Sequence, residues 1–413
     1  MTELTQDYFE QLDRQDPLAP LREQFVLPEG TLYFNGNSLG AMPRAMTRRL
    51  ADFTEQEWGR EIVRGWVTQG WYGLPQRVGA KIARLIGAAE DEVIVSDTTS
   101  VNIYKLALAA LQLKPGRTGI VTTQDIFPTD IYILEGVQST LPEEMELSLT
   151  EADAVLQAVD QQTALVVLSP VNYKSGALYD MAQMTAQIQA QGALVLWDLS
   201  HSCGAHQVDL NGIGADFAVG CGYKFLNGGP GAPAYLYVAK RWQQQIQQPL
   251  TGWKGHANPF AMSPHYIPAE GITRMLCGTH PVVAMTCLEV AVDLFAGADM
   301  EQVQAKSRRM GELFIALAEQ CCAAYGLELL SPKDSTQRGS QVSFRHNSGY
   351  ALVQALIGRQ VICDFRAPDV VRFGITPLYQ KYQDIWQTVA ILSEILATEQ
   401  WRSYPAAPTA TVT

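Results

Sequence analysis

Lys224 stands alone as a charge in the run Val219–Pro233, VGCGYKFLNGGPGAP. Small and apolar residues, spaced as in a buried strand, precede it, and a glycine–proline loop follows. Asp198 closes a second apolar run, ALVLWD, twenty-six positions upstream. A lysine in apolar surroundings serves as a nucleophilic amine toward a carbonyl. An acid closing a buried strand can hold a proton on a heterocyclic nitrogen. That pair of tasks suits pyridoxal phosphate: the lysine condenses with the cofactor aldehyde, and the acid pairs with the pyridinium nitrogen. Taken alone, Lys224 could be a surface lysine and Asp198 a helix cap.

Other groups of the same type lie at intervals between strand-like and helix-like runs. In SDTTSVNIYK, Thr99 and Ser100 fall where a strand gives way to a helix, a place where free N–H groups and hydroxyls bind phosphate. An ordinary N-cap is the alternative there. No GxGxxG precedes this turn, so a dinucleotide is not indicated. In DIFPTDIY, Phe127 could stack on a cofactor ring and Asp130 could hydrogen-bond beside it; a core aromatic with a capping acid is the alternative. Ser169 ends ALVVLS, and His201 follows Asp198 by three positions, within reach of that acid or of the cofactor. His206 is expected to be structural. Arg372, in DVVRFGITPLY, could clamp a carboxylate bidentately.

These side chains need a scaffold. From Gln76 onward helical and strand patterns alternate: RVGAKIARLIGA, EVIVSD, TSVNIYKLALAALQL, GIVTT, ALVVLS, MAQMTAQIQAQ, ALVLWD. Gly192 is expected to cap the sixth of these. Such alternation predicts an α/β fold with a mainly parallel sheet and helices on both faces, its ligand beyond the carboxyl ends of the strands. Helical spacing also covers Arg44–Arg60, whereas the aromatic, glycine-rich stretch Gly65–Pro75 is expected as a loop. After about Leu294 a long helix over Met300–Tyr325, short strands (QVSFRH, QVICDF) and a last helix over Gln383–Glu399 predict a smaller α+β domain. The expected division is 1–70, a segment joining the small domain; 71–294, the large domain; and 295–413, the small domain with a disordered tail, SYPAAPTATVT.

With 413 residues, 47% hydrophobic and 17% charged, the chain has the composition of a well-packed globule. A net charge of −12 argues against a nucleic-acid partner. Seven scattered cysteines without CxxC pairs predict reduced thiols, no metal site and a cytoplasmic setting. The acidic, polar first residues are not expected to be a signal peptide, and no apolar run approaches the roughly 20 residues a bilayer requires.

Taken together the segments resemble kynureninase, a pyridoxal-phosphate hydrolase family of tryptophan breakdown. The resemblance runs through YFNGNSLG, SVN, FPTD, WDLSHS, GYKFLNGGPGAP, GWKGH, PAEGITRMLCGTHP and DFRAPDVVRFGITPLY. It implies a fold type I homodimer with its active site near the subunit interface. It implies hydrolysis of L-kynurenine, or of its 3-hydroxy form, to anthranilate or 3-hydroxyanthranilate and L-alanine. Lys224 is then the cofactor-bearing lysine, Tyr223 a phosphate contact and proton donor, and Asp198 the partner of the ring nitrogen. Thr99, Ser100, Phe127, Pro128, Thr129, Asp130, Ser169 and His201 match cofactor-binding positions. Trp253 and Thr279 match positions that reach the cofactor from the neighbouring subunit. Arg372 matches the carboxylate-binding arginine, and Ser38, Trp66 and His280 lie near the substrate. Gly228–Gly231 is expected as a tight loop beside the cofactor phosphate. Other fold type I enzymes (a cysteine desulfurase or selenocysteine lyase, with Cys363 as nucleophile, or an aminotransferase) and a non-catalytic cofactor-binding protein are the alternatives.

Overall fold

The computed structural model describes residues 4–141 and 145–407. After a first helix, Gln6–Gln15, come three two-residue strands, β1 (Phe25–Val26), β2 (Leu32–Tyr33) and β3 (Met42–Pro43). Seven more build the principal sheet: β4 (Val93–Val95), β5 (Gly119–Thr123), β6 (Glu146–Thr150), β7 (Thr163–Leu168), β8 (Leu194–Asp198), β9 (Phe217–Gly220) and β10 (Tyr235–Val238). Their order is β4-β10-β9-β8-β7-β5-β6. Neighbours from β9 to β6 run parallel, and β10 is antiparallel to both β4 and β9. The sheet is therefore mainly parallel, as the alternation of patterns predicts.

Most of these strands are apolar on both faces because helices cover both. Val93, Val95, Val195, Trp197 and Ala218 join one apolar cluster, which includes Val78, Ile82 and Leu288 from helices Leu74–Leu85 and Val282–Asp293. Ile94, Leu196, Phe217, Val219 and Leu236 point the other way, into a cluster with Ile103, Leu106 and Ala107 of helix Thr99–Leu113. Gly192, just past helix Met181–Ala190, takes a left-handed φ of 80°, the geometry that ends a helix and frees the chain to enter β8.

A four-stranded antiparallel sheet follows, β11 (Glu328–Leu329), β12 (Gln341–Arg345), β14 (Asp364–Arg366) and β15 (Val370–Gly374), ordered β11-β12-β15-β14. The remaining short strand, β13 (Val361–Ile362), pairs in parallel with β2 near the N-terminus. Helices Met300–Cys322, Gly349–Gly358 and Tyr382–Ala397 cover this sheet. Phe9, Leu32 and Phe34 join their apolar cluster, whereas Leu18, Phe25 and Ala41 belong to a cluster of the large sheet.

Two local expectations change. Gly65–Pro75 is not a loop: Gly65–Thr68 and Trp71–Gly73 are helical turns, and helix Leu74–Leu85 begins before Pro75. Trp71 is the physical reason. It is buried, donates its indole N–H to Glu57 at 3.0 Å, and packs 5.3 Å from the Phe53 ring, which fixes the backbone around it. Of the tail expected to be disordered, Ser403 closes a helical turn, Gln400–Ser403, and residues 408–413 lie outside the described residues.

The turn carrying Ser38 is seated directly on the lysine loop. Gly40 donates its N–H to the Tyr223 carbonyl at 2.8 Å, and a Cβ at Gly40 would meet the Lys224 carbonyl and the Asn227 side chain. Overpacking of this kind costs about 1–3 kcal/mol. Gly40→Ala is expected to lower the melting temperature by several degrees and to reduce turnover by displacing Lys224, read by calorimetry and steady-state assay.

Candidate active site

Five strands deliver their carboxyl ends to one edge of the sheet. Thr99 and Ser100 follow β4, Phe127–Asp130 follow β5, and Ser169 follows β7. Asp198 ends β8 with His201 just beyond, and Tyr223 and Lys224 follow β9. A cavity of about 180 Å³ opens there, and all of these residues except Pro128 line it. Pro128 instead starts the helix Pro128–Gln138, where a missing N–H costs nothing.

Lys224 Nζ lies 3.1 Å from His201 Nε2 and 5.6 Å from the centre of the Phe127 ring. The lysine has no charged neighbour in sequence, but the fold surrounds it with polar groups. His201 thus bonds the lysine, whereas the sequence pointed to Asp198 or the cofactor. Burial, with the charges of Lys224, Arg372 and Arg366 added, holds His201 well below the usual imidazole range. A neutral His201 accepts a hydrogen bond from Lys224 at Nε2, and its Nδ1 has no partner among the described residues.

Asp198 is buried, and its Oδ1 accepts from the Ser200 N–H at 3.0 Å and the Ser200 hydroxyl at 2.6 Å. Asp130 is its neighbour. Burial and the adjacent Asp198 carboxylate push Asp130 well above the usual carboxylate range. Asp130 is therefore biased toward its protonated form beside Asp198. Burial likewise pushes the Tyr223 phenol up, so that it stays protonated and able to donate. Ser169 Oγ sits 3.0 and 3.1 Å from the carbonyl oxygens of Val171 and Asp198, tying β7 to β8.

The N-cap of the helix after β4 is Thr98, whose Oγ1 accepts from Val101 N. Thr99 and Ser100 are thus free of capping duty. Behind them the fully buried Lys105 pairs with Asp97 at 2.8 Å and bonds the Met275 carbonyl at 2.8 Å, which locks this turn to the 271–277 segment. Sequence reasoning passed over Lys105, and also Asn172 and Tyr173. Asn172 Nδ2 holds Asp125 at 2.7 Å, and the Tyr173 ring stands edge-on to Phe127 at 5.4 Å. Their signal was position: they follow Ser169 directly at the ligand edge.

Pyridoxal phosphate fits this donor set. Thr99 and Ser100 offer hydroxyls and a helix N-terminus for a phosphate, the Asp198–Asp130 pair offers an acid for a ring nitrogen, and Lys224 offers an amine. Two buried polar atoms of the cavity lining, Asp130 Oδ2 and His201 Nδ1, have no partner among the described residues and remain to be satisfied by a polar ligand.

The other expected residues lie outside the cavity lining. Arg372 is buried on β15, bound to Asp364 and Ser38, and its Nη1 reaches the carbonyl of Tyr173, which does line the cavity. Gly228 and Gly229 line a separate apolar cleft with Val26, Leu39 and Met46, and the loop Gly228–Gly231 does not reach the cavity, contrary to expectation. Its turn is closed inward, with Gly228 N–H bonded to the Gly222 carbonyl at 2.9 Å. Trp66 and His280 stack edge-on at 5.6 Å in an aromatic box with Tyr72 and Trp253. Thr279 is exposed beside it. Cys363 is buried between β13 and β14, and burial pushes its thiol well up, unlike a nucleophile on a mobile loop.

At the centre of the box is Lys254, only 3% exposed and without a carboxylate partner among the described residues. Its Nζ lies 3.3 Å from the Tyr72 ring centre and 3.0 Å from the Tyr72 carbonyl. Burial pushes Lys254 down to about 8. An unfolded lysine titrates near 10.4, so between about pH 8 and that value the unfolded chain binds more protons. Stability must then rise with pH across this window, and the penalty is complete below it. Lys254→Met is expected to shift the urea midpoint more favourably at pH 7 than at pH 10.5, relative to wild type. An equal shift at both would remove Lys254 as the cause.

The family model described as the kynureninase C-terminal domain matches residues 303–392. A kynureninase from Burkholderia mallei is 49% identical over 407 residues, covering 97% of this chain and 98% of that protein. A kynureninase from Pseudomonas fluorescens is 48% identical over 395 residues, covering 94% and 95%. Among solved structures, a C-DES variant with glycine covalently linked to its PLP cofactor superposes with a TM-score of 0.79 at 18% identity, covering 90% of this chain and 99% of that one. A cysteine desulfurase from Thermococcus onnurineus gives 0.78 at 16%, covering 92% and 98%. At such identities these two likenesses establish the fold, a fold type I architecture.

Proposed function

The chain belongs to the kynureninase family, and from that premise we infer that it hydrolyses L-kynurenine with water to anthranilate and L-alanine in tryptophan catabolism. The observation that carries this reading is the near full-length identity with kynureninases. The geometry supports it by gathering a lysine, a buried acid pair and a protonated phenol in one cavity.

When bound, pyridoxal phosphate supplies an aldehyde for the substrate amine and a cationic ring that takes up carbanion charge. Thr99 and Ser100 would hold its phosphate with Tyr223, and the Phe127 ring would lie against its face. The Asp198 carboxylate would keep the ring nitrogen protonated, held in orientation by the Ser200 N–H and hydroxyl. Lys224 Nζ is the group placed to accept the proton from the substrate Cα. His201, neutral and accepting at Nε2, fixes that amine without competing for its charge. The Tyr223 phenol keeps its proton at neutral pH and can deliver it to the Cβ left by bond cleavage. The Arg372 guanidinium, beside Ser38, would receive the substrate carboxylate.

We propose further that the enzyme works as a homodimer. Trp58, Ile62, Val63, Val67, Phe260 and Met262 are all more than half exposed, an apolar surface that a second copy would cover. Trp253 and Thr279 do not line their own chain's cavity, which is consistent with service to a neighbour. Seven unpaired cysteines support a cytoplasmic location, and no helix among the described residues is long and apolar enough to cross a membrane. We also propose the division into a large domain, 71–294, and a small one built from 295–413 with the segment 1–70. The test of function is direct. The purified holoenzyme should form fluorescent anthranilate from L-kynurenine, compared side by side with 3-hydroxy-L-kynurenine. No product from either substrate at full cofactor loading would defeat the reading.

A further inference from the structure

One buried charge cluster beside the cavity is unbalanced. Asp364 and Arg366 sit on β14, and the antiparallel register places Asp364 opposite Arg372 on β15. Arg372 Nε donates to Asp364 Oδ1 at 2.8 Å and Nη2 donates to Oδ2. Nη2 also reaches Ser38 Oγ at 2.9 Å, and Nη1 the Tyr173 carbonyl at 2.6 Å. Four of its five N–H groups are therefore engaged. Its side chain is 2% exposed, and that of Asp364 is 3% exposed.

Arg366 is the open member, with a side chain 29% exposed. Its Nη2 reaches Asp364 Oδ2 at 2.9 Å and Ser38 Oγ at 3.3 Å, and its Nη1 bonds the Phe365 carbonyl at 3.0 Å. Its Nε–H and one Nη1–H have no acceptor among the described residues. Each guanidinium pairs only with Asp364 there, so two positive charges face one negative charge. Both lie close enough to His201 for their charge to help keep it neutral. A surplus positive charge, with unused donors, beside a cavity that Arg372 touches through the Tyr173 carbonyl calls for an anion.

We propose that Arg366 is a substrate-binding residue, forming with Arg372 a two-guanidinium seat for the carboxylate of the amino-acid substrate. Asp364 holds the two side by side, and Arg366 supplies the free donors that Arg372 has already committed. Arg372 could present a full fork only by breaking its own pairing with Asp364. The proposal rests on the reading that an amino acid is the substrate.

The holoenzyme and its Arg366→Gln variant are titrated with L-alanine and with L-alaninamide, following the visible absorbance of the bound cofactor. Arg366→Gln should weaken L-alanine by about 10- to 100-fold, the range for a hydrogen bond to a charged group, and leave L-alaninamide within about twofold. With L-kynurenine, KM should rise far more than kcat falls. Arg366→Lys keeps the charge without the fork and should lose at least about threefold in L-alanine alone, which carries the test if the Gln variant does not fold. Unchanged L-alanine affinity in either variant, or equal loss of both ligands, would overturn the proposal. A wild type that makes no anthranilate yet prefers L-alanine through Arg366 would defeat the kynureninase reading and leave this one standing.

Discussion

Lys224→Ala is expected to lose turnover of L-kynurenine by about 10⁴-fold or more, because one side chain supplies both the covalent anchor and the proton acceptor. The rest of the cavity should survive the change. Thr99, Ser100, Phe127 and Asp198 are held by backbone positions and partners that do not involve Lys224. The variant should therefore bind pyridoxal phosphate without attaching it. Treatment with borohydride followed by denaturation should leave cofactor mass on the wild type and none on the variant. The loss of Nζ removes the 3.1 Å contact to His201 and one of the charges that keep its imidazole neutral. His201 should then titrate higher in the variant, measurable by NMR. Near-normal turnover would sink the mechanism, and intact cofactor attachment would move the anchor to another lysine.

Asp198→Asn is expected to cost about 10²–10³-fold in kcat, the scale for removing one preorganised electrostatic partner. Stability should change little, because the amide keeps an acceptor for Ser200. The second carboxyl makes this substitution informative. Burial and the Asp198 charge push Asp130 toward its protonated form. Removing that charge lowers the Asp130 pKa and lets Asp130 carry the negative charge in its place. Residual activity should therefore rise with pH in Asp198→Asn as Asp130 ionises. Adding Asp130→Asn should abolish both the residual activity and its pH dependence, a non-additive result expected of two coupled groups. Strictly additive effects would show that Asp130 is not coupled to Asp198.

Among the candidate residues, those of one edge were legible from the sequence and the rest were not. Thr99, Phe127, Ser169, Asp198 and Lys224 each follow an apolar run that ends at the same rim of a parallel sheet, so strand periodicity places them together without coordinates. His201 was legible as a neighbour of Asp198 but not as the partner of Lys224, because the bond joins the connections after β8 and β9. Gly228–Gly231 was misplaced because its turn is closed by a bond back to Gly222 and packs into an apolar cleft. Gly65–Pro75 looked like a loop because its glycines and aromatics carry no helical period, yet a buried Trp71 organises it into turns.

The sequence by itself determined the α/β architecture, the cofactor chemistry and the family, since each depends on local runs and fixed motif spacing. Only the tertiary structure decided the charge state of the site. Asp130 is pushed toward its protonated form by its burial and by the charge of Asp198, 68 residues away. His201 stays neutral because it is buried, and the converging charges of Lys224, Arg372 and Arg366 add to that. Arg366 becomes the free donor because Asp364 and Ser38 already hold Arg372. Electrostatic energies depend on distance and desolvation in the folded molecule, and neither is written in the order of the residues.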